Sequence, residues 1–399
     1  MRTASKTLLL TIIFAALLIT ASALYLNRAS EEDEYEAEVR RLFQKVKADT
    51  ESLRNLTSTN PISLKVVDIS FFQKDTSDGV DELDAAREAL YKSLLLVPQN
   101  FSIKEYKKER AGLVVAAASA YTLYIVREYF NPHSDDAPRI LAHEYTHILQ
   151  YNRAKHPKFL TMDSQLAWSA FIEGEADLVA ELYTSNKTGR LTSTMPMPKP
   201  PKSGINKWFV DQLTLFPYIY GLTFAYKIYV AEGWRGLDQA HVEPPTSTAE
   251  ILYPNLYLSG FKPAYPNNPS PPTSGWRIYY PDVLGAYFFN LFLTRTLDSE
   301  EARKATSWWI GDNSTLYLNE EDLLLYWQIN LSTDEQAKTL KQMLYSDLSG
   351  ALSKDGRILR IDGRNLAMLT QDTKLLIVSA PNPSLAEAAL RDLTHKGFD

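Results

Sequence analysis

The sequence predicts an α+β protein in which an apolar N-terminal segment precedes a larger, helix-rich domain and a smaller C-terminal α+β unit. Three observations carry this expectation. Long segments with helical apolar spacing and capping signals are separated by short runs of β-branched and aromatic residues, in no regular βαβ alternation. An uncharged, largely apolar run from Thr7 to Leu26 follows Arg2 and Lys6. Finally, Phe261 to Ser274 (FKPAYPNNPSPPTS) is rich in Pro, Asn and Ser and separates two differently patterned regions.

Composition narrows the classes open to it. With 399 residues, 45% of them hydrophobic, the chain can bury a large core and divide into two domains. The net charge of -6 argues against nucleic acid as a partner, because phosphate binding needs a basic surface. The basic run Lys107-Lys108-Glu109-Arg110 reads as a solvated face. Cysteine is absent, which excludes disulfides, thiol nucleophiles and thiolate metal sites, so any metal must be held by His and carboxylates.

Residues 1–29 read as a transmembrane anchor or a signal peptide. Thr7 to Leu26 is long enough to cross a hydrocarbon core, the positive charges precede it and the acidic cluster Glu31-Glu32-Asp33-Glu34 follows it. That polarity places the N-terminus inside and the body outside the cytoplasmic membrane, with the lipid bilayer as a partner of this segment. Ala21-Ser22-Ala23 matches a signal-peptidase site, and cleavage there would give a secreted protein. Asn-x-Ser/Thr sequons at Asn55, Asn100, Asn186, Asn313 and Asn330 suit an exported chain.

Residues 30–60 form an acidic helical stalk or a lid, with Val39, Leu42, Phe43 and Val46 at helical spacing. The domain 61–261 opens with a β-rich run, Ile62 to Phe72, and a helix around Asp81 to Leu95. Tyr121 to Val126 (YTLYIV) reads as a strand just before a helix whose start is marked by Ser134-Asp135-Asp136-Ala137-Pro138. Further helices are expected over Ser164–Tyr183 and Phe209–Ala231, separated by the proline-rich Met195 to Pro201. Leu213 to Tyr226 is greasy, but Pro217, Gly221 and flanking charges favour a buried aromatic helix over a membrane span. Residues 262–276 read as a linker. The unit 277–399 should hold a helix over Asp282–Thr296, strands at Ser314–Leu318 and Leu323–Asn330, a helix over Thr333–Leu348 and short strands from Arg357 to Val378. Gly311-Asp312-Asn313 reads as a turn.

The chemistry concentrates in His143-Glu144-Tyr145-Thr146-His147, which uses two of the six histidines. On a helix these histidines stand one turn apart on one face, so both imidazoles can reach a single ion with Glu144 beside it. This HExxH pattern points to zinc-assisted hydrolysis. A catalytic zinc takes three protein ligands and leaves a fourth position for water, so one more donor is needed. The segment Phe171-Ile172-Glu173-Gly174-Glu175-Ala176-Asp177 supplies it, with Glu173, 26 residues after His147, as third ligand. Asp177 shares its face and would accept a hydrogen bond from a ligand imidazole; Glu175 would point away. Gly174 in mid-helix would permit close approach of two helix backbones.

HEYTHILQ followed by FIEGEAD resembles the gluzincin group of zinc metallopeptidases, in which a glutamate on a downstream helix completes the HExxH site. Over about Leu95 to Leu348 the chain is similar to exported or membrane-anchored prokaryotic proteins of this kind, which also carry a PY-x-x-G helix (Pro217 to Gly221 here) and a PP-x-ST segment (Pro244 to Pro254 here). That family tends to have His before the final proline, where this sequence has Tyr253. The resemblance implies a zincin-like catalytic domain and peptide-bond hydrolysis, with Glu144 as general base and then acid. It also implies an oxyanion donor after the third ligand, for which Tyr218 ranks first, His241 second and Tyr220 third. Tyr121 to Val126, if exposed, could pair with an extended peptide or protein substrate. The competing reading is a catalytically silent exported scaffold on the same fold, binding a peptide or envelope partner. His133, His156 and His395 read as surface or loop histidines.

Overall fold

A computed structural model describes residues 34–73, 81–110, 114–151, 153, 161–188, 207–320, 322–347 and 358–397. The N-terminal apolar segment, the loop Met195 to Pro201 and His156 lie outside these residues. Among the described residues no helix is long and apolar enough to cross a membrane. The architecture is α+β, with two sheets. Two compact units form, one from the segments up to Ile69, Val114–Leu149 and Val179–Arg190, the other from Ser70–Leu113, Gln150–Leu178 and Leu191–Asp399.

The first unit is built on a three-stranded sheet of β1 (Ser63–Val67), β2 (Ala116–Ser119) and β3 (Thr122–Val126). Its order is β1-β3-β2, with β3 parallel to β1 and antiparallel to β2. This corrects the expectation of an exposed strand at Tyr121–Val126: β3 is central and its backbone groups are used on both sides. Its alternating Leu123 and Ile125 go to the core, as a period of two dictates. The helix over 34–54 is no free stalk. Val39, Phe43 and Val46 are buried beside Leu141, Tyr145 and Ile148 of the helix Ala137–Tyr151, and the Tyr145 hydroxyl donates to Glu51 at 2.5 Å. The apolar stripe foreseen on that segment is therefore core.

The second unit contains a six-stranded antiparallel sheet of order β4-β5-β6-β9-β8-β7. These are β4 (Arg277–Asp282), β5 (Trp309–Asn319), β6 (Asp322–Leu331), β7 (Ile358–Ile361), β8 (Arg364–Gln371) and β9 (Lys374–Ala380). Helices Asp334–Asp347 and Pro383–Lys396 belong to this unit, the latter burying Ala386, Ala389 and Leu390 in the sheet's core cluster. Gly311-Asp312-Asn313 lies inside β5, not in a turn, because a bulge between Trp309 and Gly311 absorbs the glycine without ending the ladder. Nor is 262–276 a linker between domains. The Ala264 N–H donates to the Ile310 carbonyl at 2.8 Å, Asn313 Nδ2 to the Pro266 carbonyl at 3.0 Å, and Asn330 Nδ2 to the Ala264 carbonyl at 2.8 Å. Prolines cannot continue a ladder, so side-chain amides hold this strap in place. The amides of Asn313 and Asn330 are thus committed within strands and unsuited to glycosylation of the folded chain, whereas Asn55 and Asn100 are exposed.

Two long helices carry residues that the candidate chemistry draws on. Met162–Thr188 carries Glu173, and its first N–H groups are tied down: Met162 N donates to Asp282 Oδ1 at 2.8 Å and Asp163 N to the Val283 carbonyl at 3.1 Å. Trp208–Val242 runs past Ala231, where the sequence suggests an end, because Gly233 (φ 66, ψ -158) kinks it and the helix resumes. A positive φ of this kind is cheap only for glycine.

Candidate metal centre

The helix Ala137–Tyr151 separates its faces cleanly. Leu141, Ala142, Tyr145 and Ile148 are buried, while His143, Glu144 and His147 are half-buried on the other side. The Thr146 hydroxyl donates back to the Ala142 carbonyl at 2.8 Å, so it offers nothing to the site. His143 and His147 bring their Nε2 atoms to 3.1 Å, with the rings edge to face at 4.8 Å between centroids.

Glu173 joins them. Ligand atoms of His143, His147 and Glu173 all lie within 4.8 Å of one another, and these three residues can hold a metal ion. Two nitrogens bound to one tetrahedral ion at about 2.05 Å would stand about 3.3 Å apart, close to the observed separation of the imidazoles. The donor set of two imidazoles and one carboxylate is of the type that zinc takes, with all three groups within 4.8 Å of one another.

Glu175, expected to point away from the metal-type donors, is not among them. It is almost fully buried, its Oε2 accepting from Gln150 Nε2 at 3.0 Å and meeting His241 Nε2 at 2.6 Å. Gln150, three residues after His147, also donates to the Ile172 carbonyl at 2.9 Å. His241 lies edge-on to Phe171 and Trp168, at 4.7 and 6.1 Å between centroids. A carboxyl group this deeply buried is tolerated because its oxygen has hydrogen-bond partners in Gln150 and His241. The sequence signal that could have found this network is that the positions one helical turn from Glu175, namely Phe171, Ile172, Leu178 and Val179, are all apolar. An acid between Phe171, Ala176 and Leu178 on a helix must bury.

The remaining residues are placed as follows. Asp177 is buried one turn beyond Glu173. Tyr218 is 42% exposed, whereas Tyr220 stacks against Phe216 and Tyr287 and has its hydroxyl pushed up to about 12 by burial. His241, committed to Glu175 through Nε2, loses standing as an oxyanion donor. Tyr253 caps a short helix and its hydroxyl donates to the Arg303 carbonyl at 3.4 Å. His133 is exposed and meets Glu38 at 3.0 Å; His395 is exposed on the last helix.

The crossing at Gly174 explains how this framework packs. A Cβ at Gly174 would lie 2.1 Å from the Gly221 carbonyl oxygen, and one at Gly221 would lie 2.2 Å from the Ala170 carbonyl oxygen. The close approach anticipated at Gly174 is real, and its partner is the PY-x-x-G helix. Compared with protein-family models, with curated proteins and with solved structures, the chain matches none.

Proposed function

We propose that this chain is a zinc-dependent peptidase with a zincin-like catalytic domain, acting outside the cytoplasmic membrane. The observation that supports it most is the convergence of His143, His147 and Glu173. Three donors of types N, N and O, from a chain without cysteine, suit zinc and leave a position for water. A bound zinc would supply Lewis-acid polarisation of water and of a peptide carbonyl. Glu144, half-buried beside His143, is the base that takes the proton of the water and returns it to the leaving amine. Asp177 is assigned to hold a ligand imidazole in its tautomer. Tyr218, exposed on its helix, keeps first rank as the donor to the developing oxyanion. An extended substrate would add to β2, which among the described residues pairs only with β3 and so keeps one edge open.

The test is metal content and cleavage measured together. Wild-type protein should hold about one zinc per chain and cleave a peptide library. Glu144→Gln should keep the zinc and lose cleavage by roughly a factor of 10² to 10⁴. Glu173→Ala should lose zinc. A zinc-loaded wild type that cleaves nothing would instead support the silent scaffold, and retention of zinc by Glu173→Ala would remove the third-ligand assignment.

A further inference from the structure

The second unit contains a cavity of about 380 Å³ that none of His143, Glu144, His147 or Glu173 lines. That volume falls in the range of small-molecule sites, roughly 300–1,000 Å³. Its walls come from the helices Glu82–Ser93, Ile103–Arg110, Met162–Thr188 and Trp208–Val242, and Tyr91, Ile103, Met162, Leu166, Val210 and Leu213 make it largely apolar. Arg87, Lys107 and Arg110 line it with Asp84, while Asp211 stands by Arg110 and Asp282 acts on Arg87 from outside the lining.

Only one of these cations is closely neutralised by Asp84: Lys107 meets it at 2.6 Å. Arg110 stands 3.8 Å from Asp211, whose Oδ1 already accepts the Tyr106 hydroxyl at 2.9 Å, and its guanidinium lies over the Tyr106 ring. Arg87 donates from one terminal nitrogen to Gln165 Oε1 at 2.8 Å, yet its buried Nε has no partner. Burial works against the charge of Arg87, but a hydrogen bond with Tyr280, and then the influence of Tyr91, Tyr280 and Asp282, outweigh it and hold its pKa above the ordinary arginine value. A buried N–H of a cation left without an acceptor costs about 1–3 kcal/mol or more, and a charge-assisted hydrogen bond from a guanidinium to a carboxylate is among the stronger ones.

We propose that this cavity binds an organic carboxylate, an apolar body with a single carboxylate head, the head held between Arg87 and Arg110. A polyanion would leave its charge against Tyr91, Ile103 and Leu213. Two sources carry the fitting chemistry: the C-terminal residue of a peptide with a large apolar side chain, and a free fatty acid. Ser169, which lines the cavity, precedes Glu173 by four residues, about 6 Å along the helix and on the same face. The carboxylate site therefore neighbours the proposed third ligand without using it, and does not depend on hydrolysis.

Calorimetric titration of the full chain decides it, using N-acetylphenylalanine and octanoate, each beside its neutral counterpart, N-acetylphenylalaninamide or octanol. At least one acid should bind saturably and roughly tenfold more tightly than its counterpart, both with zinc and with a chelator present. Preference for N-acetylphenylalanine assigns the peptide source, preference for octanoate the fatty acid. Arg87→Gln and Arg110→Gln should each weaken the acid and leave the neutral compound unchanged. Arg110 sits at the rim, so its variant keeps the test informative if Arg87→Gln fails to fold. Failure of both acids to saturate, neutral compounds that bind equally well, or full affinity in Arg110→Gln would overturn the assignment.

Discussion

Glu173 and Glu175 differ by two positions and by everything around them. The first is half-buried among metal-type donors, while the second is buried against Gln150 and His241. Their opposite facing follows from helical geometry and was legible in the sequence. The partner of Glu175 was not, because His241 arrives from a helix 66 residues further on. Since the carboxylate is already desolvated, removing its partner is costly. His241→Ala should lower the free energy of unfolding by about 3–5 kcal/mol, whereas the double replacement Glu175→Leu with His241→Phe should lose much less. Urea unfolding of the two variants and of each single one gives the coupling directly, and equal losses for single and double variants would contradict a coupling between the two side chains.

At the scale of elements, the decisive contact is a helix crossing without side chains. Gly174→Ala gains about 1 kcal/mol of helix propensity. Against that, its Cβ would stand 2.1 Å from a backbone oxygen of Gly221, which no rotamer change relieves. Overpacking of this kind costs typically 1–3 kcal/mol and sometimes more, so the loss wins. We expect Gly174→Ala and Gly221→Ala each to lower Tm, and the double variant to lose less than the sum of the two because both relieve the same crossing by separating the helices. The glycine was visible in the sequence as an oddity in mid-helix, but nothing there named the helix it meets. Strand order has the same character. YTLYIV reads as a strand from its own residues, yet whether it is an edge or a centre depends on β1 and β2, whose Ser63–Val67 and Ala116–Ser119 lie on either side of a long insertion in the chain.

At the scale of the molecule, buried acids set the dependence on pH. Asp312 is fully buried and accepts four N–H groups, from Leu284, Gly285, Trp309 and Trp327. Desolvation outweighs these bonds and lifts its carboxyl to about 6. Burial likewise raises Asp163 and Asp282. A folded-state value above the unfolded one means that the native protein binds the proton more tightly. The contribution of Asp312 to stability is therefore greatest near pH 4 and is lost as the pH rises through about 6. The displacement from the ordinary 3.8 to about 6 bounds this at about 3 kcal/mol. Asp312→Asn should be less stable throughout, since its amide would turn N–H groups toward two of the four donors, and the gap to wild type should widen as pH falls from 7 to 4. Urea midpoints across that range check it; a gap independent of pH would contradict the raised carboxyl. The same acids explain what the C-terminal half does for the candidate centre. Asp282 caps the first turn of the helix that carries Glu173, and Asp163 accepts from Thr248 at 2.7 Å.

By itself the sequence determined the elements and the donors. Period, caps and proline placement are local properties, so the helix around HEYTH, the helix around FIEGEAD and the spacing of His143, His147 and Glu173 could be read from residues within a few turns of one another. Tertiary structure alone decided what each donor faces and which edges stay open. It drew the 262–276 segment onto β5, put β3 in the middle of its sheet, buried Glu175 with His241 and gathered Arg87, Lys107 and Arg110 around one cavity. The physical reason is that burial, pairing and charge balance depend on groups brought together from distant parts of the chain, and spacing along the backbone carries no record of them.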